Sequence, residues 1–167
     1  RYLMGHDGLT GLLSYSLVEG VLVCDILRSI RLDTPMSFAL VDIDFFTKIN
    51  NRYGHAAGDR VIKSLSRLLK QRLRGTDIIG RYGGEEFAVI MNDTDAASAA
   101  KVIDEIRNVF SRLLHLSQDE EFSVSFSCGI ADLAHFPDAA SLSDAADKAL
   151  FQAKQRGRNK VVVNTDD

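Results

Sequence analysis

The apolar positions of this chain alternate between helical and extended periods. Leu17, Val21, Cys24 and Leu27 recur at helical spacing and predict a helix that buries those four side chains. Met36 to Val41 is apolar apart from Ser37, the pattern of a strand covered on both faces. Val61, Leu65, Leu68 and Leu69 mark a second helix. Thr76 to Tyr82 and Phe87 to Met91 are extended runs around the pair Gly83-Gly84, which predicts a hairpin. A long helix carries Ala99, Val102, Ile103, Ile106, Val109 and Phe110 on one face, and Phe122 to Ile130 reads as a strand. Leu142, Ala145, Ala149, Leu150 and Ala153 mark a further helix, and Lys160 to Val163 a last strand. A hairpin combined with helices predicts an α+β fold, a central mainly antiparallel sheet flanked by helices. No Pro- or Gly-rich linker and no internal repeat divides the chain. One domain is therefore expected over residues 7–167, with residues 1–6 as the end of an upstream linker helix.

Composition narrows the function classes. With 167 residues and 46% hydrophobic content, the chain can bury an ordinary globular core. The net charge of −3 lacks the basic footprint of general nucleic-acid binding, so no nucleic-acid polymer is expected as partner. No apolar run approaches the length of a transmembrane helix and no signal peptide is visible. The expected location is cytoplasmic, without membrane contact by this segment, although a longer protein containing it could be membrane-anchored. Cys24 and Cys128 lack metal-type spacing and sit in apolar patterns, so both read as reduced core residues.

Candidate chemistry lies in two acidic clusters. In Arg81-Tyr-Gly-Gly-Glu-Glu-Phe87, two glycines run straight into Glu85 and Glu86, between apolar stretches. Adjacent acids at a glycine turn suit a divalent cation, and Gly83 and Gly84 let a large anionic ligand approach the backbone. The alternative is a hairpin turn with solvated charges. Upstream, Asp42 and Asp44 end the buried strand, and alternation puts both on one face with Ile43 opposite. Unpaired buried carboxylates cost several kcal/mol, a cost that a cation shared by Asp42 and Glu85 would remove. The alternative is that both aspartates cap the following helix.

These motifs carry a resemblance. Asp42-Ile-Asp-Phe-Phe, Asn50, Tyr53-Gly-His, Gly58-Asp59, Gly83-Gly-Glu-Glu-Phe87 and Lys154-x-x-x-Arg158-Asn159 are similar to the GGDEF-domain diguanylate cyclases, here as a GGEEF variant. The likeness runs from Asp7-Gly-Leu-Thr-Gly-Leu12 to Val163. It implies a fold like the palm of nucleotidyl cyclases, and condensation of two GTP into cyclic di-GMP with release of two pyrophosphates. It also implies Mg²⁺ or Mn²⁺ held by Asp42, the Ile43 carbonyl and Glu85. Glu85 is the implied base and Glu86 lies beside the metal; a metal-bound carboxylate is a weak base, so the metal role of Glu85 is the firmer. Phe45 and Phe46, with Gly83 and Gly84, belong to the implied GTP site. Asn50 and Asp59 are the implied guanine contacts, chemically apt because Asp accepts from N–H groups and Asn pairs either way. Read alone, Asn50 is a helix cap and Asp59 a solvated helix charge. His55 lies in the substrate-contacting Gly-His pair, or is a partly buried helix-start histidine. Lys154 and Arg158, four apart on a helix end, would reach the β- and γ-phosphates; they would also interact favourably with the helix C-terminus. Arg74-Gly-Thr-Asp77 matches the family's Arg-x-x-Asp inhibitory site for cyclic di-GMP, its ordinary alternative being a surface ion pair.

Some positions depart from the family pattern. Thr47 stands where the family has lysine, and lysine follows one place later at Lys48; adjacent helix residues do not share a face. Asn51 replaces an aspartate, and Leu13-Ser-Tyr15 replaces an Asn-Arg stretch. None removes an implied metal ligand, but a lost charged contact slows catalysis and keeps open a regulatory module that only binds GTP or cyclic di-GMP. One site would hold one GTP, so catalysis is expected to need a homodimer of facing domains. No heptad pattern supplies it, and an upstream sensor or receiver domain is the expected driver.

Overall fold

The computed structural model describes residues 5–165. Its centre is strand β2 (Met36–Ile43), buried along its whole length. β2 pairs antiparallel with β4 (Glu86–Asn92) on one side and with β7 (Phe126–Asp132) on the other. Outside these lie β3 (Ile78–Arg81), antiparallel to β4, then two short parallel edges: β1 (Leu13–Ser14) on β3 and β8 (Val161–Val163) on β7. The sheet order is β1-β3-β4-β2-β7-β8, mainly antiparallel as expected.

Alternation along β2 divides the core. Ala39, Val41 and Ile43 face one layer, built from α2 (Phe46–Tyr53), α3 (His55–Arg72) and α4 (Ala96–Arg112). Met36, Phe38 and Leu40 face the other, built from α1 (Tyr15–Leu32) and α5 (Ala139–Gln155). Helices therefore cover both faces. α5 lies very close to β7: a Cβ on Gly129 would stand 2.1 Å from the Leu150 nitrogen and 2.2 Å from the Ala146 oxygen. Ala145, Ala146, Ala149 and Ala153 are the small residues of α5 that allow this approach. Asp138 fixes where α5 begins, accepting from the Ser141 N–H at 2.8 Å in a capping box.

Five expectations need correction. α1 buries Val18, Leu22, Ile26 and Ser29, whereas Leu17 and Leu27 are exposed. Cys24 is accordingly exposed, and only Cys128 is a core thiol, pushed far above its ordinary pKa by burial. The reason is Gly80 of β3: Val18 packs where its Cβ would be, and that contact sets the rotation of α1. The strand expected over 122–130 begins at Phe126; Phe122 instead closes a separate hairpin of β5 (His115–Ser117) and β6 (Glu120–Phe122). Arg158 lies beyond α5, in a turn with φ of 65°, so it does not share a helix with Lys154. Finally, Gly5 is in a turn and His6 bridges to Leu13, so neither is helical; the expected linker helix at residues 1–4 lies outside the described residues.

Candidate functional site

The carboxyl end of β2 meets the start of β4. Asp42 pairs in register with Glu86, and the Ile43 N–H donates to the Glu85 carbonyl at 3.1 Å. The turn before β4 is held from inside: the N–H groups of Tyr82 and Gly83 both donate to the Glu86 carbonyl, at 2.7 and 3.2 Å. Arg81 holds it from outside, donating to the Gly83 and Gly84 carbonyls while its other nitrogen reaches both oxygens of Asp7 at 3.1 Å. Neither Gly83 nor Gly84 has a positive φ, and a Cβ on Gly84 would meet nothing within 4 Å. The fold does not demand these glycines, and the space over them is open.

Asp42 and Asp44 share the α5 face, as alternation predicts. Lys154, in the last turn of α5, donates to Asp42 Oδ2 at 2.5 Å. Burial first, then the charge of Asp42, pushes the Glu85 carboxyl above its ordinary range; the two side chains are within hydrogen-bond reach. Burial again, then Asp42 and Asp147, pushes Glu86 up likewise. Several carboxylates thus crowd around one ammonium. Among the described residues no three carboxylate, imidazole or thiol groups converge on a metal position. The fitting set is two carboxylates, Asp42 and Glu85, with the Ile43 main chain between them; hard oxygen donors of this kind suit Mg²⁺ or Mn²⁺.

Asp44 is not a helix cap. It is 2% exposed and accepts from Ser125 Oγ at 2.7 Å, Ser127 Oγ at 2.6 Å and the Asn159 N–H at 3.0 Å. Arg158 leans toward it, 3.9 Å away. Asp44 therefore anchors the turn after α5, a role that sequence reasoning missed; the alternating Ser123, Ser125 and Ser127 in an otherwise apolar run were its signal. Glu19 was also missed: the Tyr82 hydroxyl donates to it, tying α1 to the residue before the glycine pair.

Phe46 is buried against α3, whereas Phe45 is 53% exposed with φ of 56°. Asn50 lies inside α2 rather than at a cap, and its Oδ1 is buried without a partner. Gly58 of α3 makes room for it, since a Cβ there would stand 1.9 Å from that oxygen. Asp59 and His55 are exposed on α3, so His55 is not the half-buried residue of its structural alternative. Gly58 thus sets Asn50 against α3, the helix that also carries His55 and Asp59.

Arg74 and Asp77 lie at the far end of β4, roughly 20 Å away by strand length. Their pair is more than a surface contact: Asp77 is buried, and Arg74 also donates to the Asn92 carbonyl at 2.5 Å and Thr94 Oγ1 at 2.7 Å. Asp77 holds the guanidinium above its ordinary pKa. A 270 Å³ cavity opens beside them, lined also by Asp93, Ser98 and Val102.

With this geometry in place, the comparisons decide the family. The profile of the diguanylate cyclase GGDEF domain matches residues 4–160. The chain belongs to the GGDEF domain family. It is 38% identical over 130 residues to Diguanylate cyclase A of Treponema denticola, covering 77% of this chain and 35% of that protein. It is 33% identical over 162 residues to Diguanylate cyclase DosC of Escherichia coli, covering 96% of this chain and 35% of that protein. The GGDEF domain of DgcB from Caulobacter crescentus, solved in complex with c-di-GMP, superposes with a TM-score of 0.93 at 30% identity, covering 98% and 97% of the two chains. The chain spans about a third of the length of the curated relatives it matches. Their fold is the mixed palm-like one expected. Among the described residues, no helix is long and apolar enough to cross a membrane.

Proposed function

We propose that this domain condenses two GTP into cyclic di-GMP and two pyrophosphates. The observation that carries the reading is the crowding of Asp42, Glu85 and Glu86 around a single ammonium, with the glycine turn open beside them. Glu85 and Glu86, raised by burial and by the carboxylates beside them, want a cation, and a divalent ion bound there would neutralise the leaving pyrophosphate and acidify the attacking 3′-hydroxyl. Asp42, Glu85 and the Ile43 carbonyl would hold it, and Lys154 would then be free to turn from Asp42 to a phosphate. Asn50, with an unpaired buried oxygen, and Asp59 would take the guanine edge, and His55 would close on the substrate. Phe45, Phe46, Gly83 and Gly84 would border the triphosphate, with Arg158 at its end. Glu86 would act next to the cation, keeping the site negative.

Each domain supplies one such half, so the reaction needs a homodimer in which each 3′-hydroxyl meets the partner's α-phosphate. An upstream sensor or receiver domain would bring the halves together in the cytoplasm, where GTP is available. Cyclic di-GMP would bind at Arg74 and Asp77 and lower activity from there, two distinct sites being what such coupling requires. The test is incubation of the domain, dimerised by an appended leucine zipper, with GTP and Mg²⁺, followed by mass-resolved chromatography. Cyclic di-GMP from the wild type and none from Glu85→Gln is the expected result. Equal product from both would sink the assignment; no product with GTP still bound would make the domain a binding module.

A further inference from the structure

Two cations converge on one ring beside the β2 end. Phe45 is half-exposed, in a left-handed conformation that is costly for a bulky residue. The Lys48 ammonium lies 4.8 Å from its ring centroid and the Arg158 guanidinium 4.7 Å. Arg158 is also left-handed, which brings its head back from beyond α5 onto the ring. Each cation–π contact is favourable, but bringing two like charges to one ring opposes it.

No carboxylate offsets that repulsion well. The one near Arg158, Asp44, stands 3.9 Å away and is already engaged by two hydroxyls and a main-chain N–H. Among the described residues Lys48 has no carboxylate within salt-bridge distance; its ammonium rests over the Phe45 ring. Beside the ring is an open cavity of about 230 Å³ bordered by Lys48, Arg52, Tyr53 and Phe122. Arg52 is not free in the same way, because it is paired with Glu120 at 2.9 Å. Lys48 is therefore the cation without a carboxylate, beside an Arg158 only loosely paired with Asp44, and both are held over one aromatic platform. Two such cations, one a planar fork and one a mobile point charge, suit the doubly charged terminal phosphate of a nucleotide.

We propose that Lys48 pairs with Arg158 to read the terminal phosphate of a nucleoside triphosphate, with Phe45 as the resting platform for both side chains. The inference rests on the GTP reading of the site. It assigns to Lys48 a specificity role, discrimination of triphosphate from diphosphate, although Thr47 leaves the preceding position without a charge. Lys48 swings off the ring when the anion arrives, and its exposed place on α2 lets it do so without disturbing the core.

The test is calorimetric titration of the domain with a non-hydrolysable GTP analogue and, separately, with GDP, both with Mg²⁺. Wild type is compared with Lys48→Ala, Lys48→Arg and Lys48→Glu. Lys48→Ala is expected to weaken the triphosphate by about tenfold, the size of a lost charge-assisted bond, and GDP by less than about twofold. Lys48→Arg should restore most of the difference, Lys48→Glu should enlarge it, and added salt should shrink it. Equal affinities of wild type and Lys48→Ala for the triphosphate overturn the proposal while leaving GTP binding intact. An equal loss for both nucleotides also overturns it, making Lys48 a general support of the site. A wild-type domain that binds neither nucleotide removes the GTP reading itself, and this inference with it.

Discussion

Asp44 is where the structure makes its most quantitative claim. The carboxylate is sealed under the turn after α5 and satisfied by two serine hydroxyls and the Asn159 N–H. Hydrogen bonds to a charged group contribute about 1.5–3 kcal/mol each, though not additively. Truncation to alanine removes all of them and leaves the Ser127 hydroxyl, itself fully buried, without its acceptor. Arg158 loses its carboxylate neighbour at the same time. Taking one member from a buried charged network costs about 3–5 kcal/mol, so Asp44→Ala should lose that much. Asparagine keeps one acceptor oxygen but turns a second donor toward groups that already donate, so Asp44→Asn should lose roughly half. Against a total stability of about 5–15 kcal/mol, the alanine variant should unfold at a visibly lower urea midpoint with little change in slope. Urea unfolding followed by circular dichroism measures this. A double-mutant cycle with Ser127→Ala should return a coupling above about 1 kcal/mol. A loss below about 1 kcal/mol for Asp44→Ala, or additivity in the cycle, would refute the claim that Asp44 pins the turn carrying Arg158.

Other predictions read different parts of the site. Gly58→Ala drives a methyl into the space of Asn50 Oδ1; GDP affinity should fall about tenfold while the melting temperature changes little, because alanine's helix propensity offsets the crowding. Unchanged affinity in a titration would separate Asn50 from the nucleotide. His115 is pushed below its ordinary 6.5, by burial first and by Arg60 second, and its Nε2 is buried without a partner. The unfolded chain then binds the proton more readily, so stability should be lost as pH falls below about 6.5 toward the lowered value. His115→Phe should flatten that part of a stability-against-pH curve, and an unchanged curve would falsify the assignment. Tyr82→Phe leaves Glu19 without its donor; the expected loss is about 1–2 kcal/mol in thermal unfolding, with cyclic di-GMP formation falling further than stability if α1 steadies the glycine turn. Identical turnover per folded molecule would restrict Glu19 to a structural part.

How much of this was legible follows from the range of the interactions. β2, α3, α4, α5 and the hairpin around Gly83 and Gly84 are set by local apolar period, and the pattern located each. α1 was legible as a helix but not in its rotation. Leu17, Val18, Val21, Leu22, Val23, Cys24, Ile26 and Leu27 leave hardly a polar side, so two faces compete. Gly80, distant in sequence, settles the choice. β8 was placed at Lys160 to Val163, whereas the two-residue edge β1 is too short to carry a period, and the β5–β6 hairpin hides in a polar stretch whose Gln118 and Asp119 take positive φ. At the site, Asp42, Glu85 and Glu86 were named from their pattern, and Asn50 from the family resemblance. The serine partners of Asp44 were not, because they lie more than 80 positions away and only the sheet brings them alongside.

The residues that sit badly with the fold are themselves informative. A buried strand ending in carboxylates, a left-handed phenylalanine at a helix entrance, an unpaired amide oxygen and glycines that no backbone angle requires are each a local cost. They gather at one end of β2. Arg74 and Asp77 make the opposite case at the far end of β4. Their charges are met by each other, by Asn92 and by Thr94, so the fold already accounts for them. A ligand arriving there must compete with those bonds, whereas the nucleotide and cation proposed for Asp42 and Glu85 would relieve repulsion that is already present. Ligands at either end should raise the melting temperature, but relief of repulsion should strengthen affinity at the β2 end. Binding at Arg74 should cost part of its energy in loosening the turn between β4 and α4.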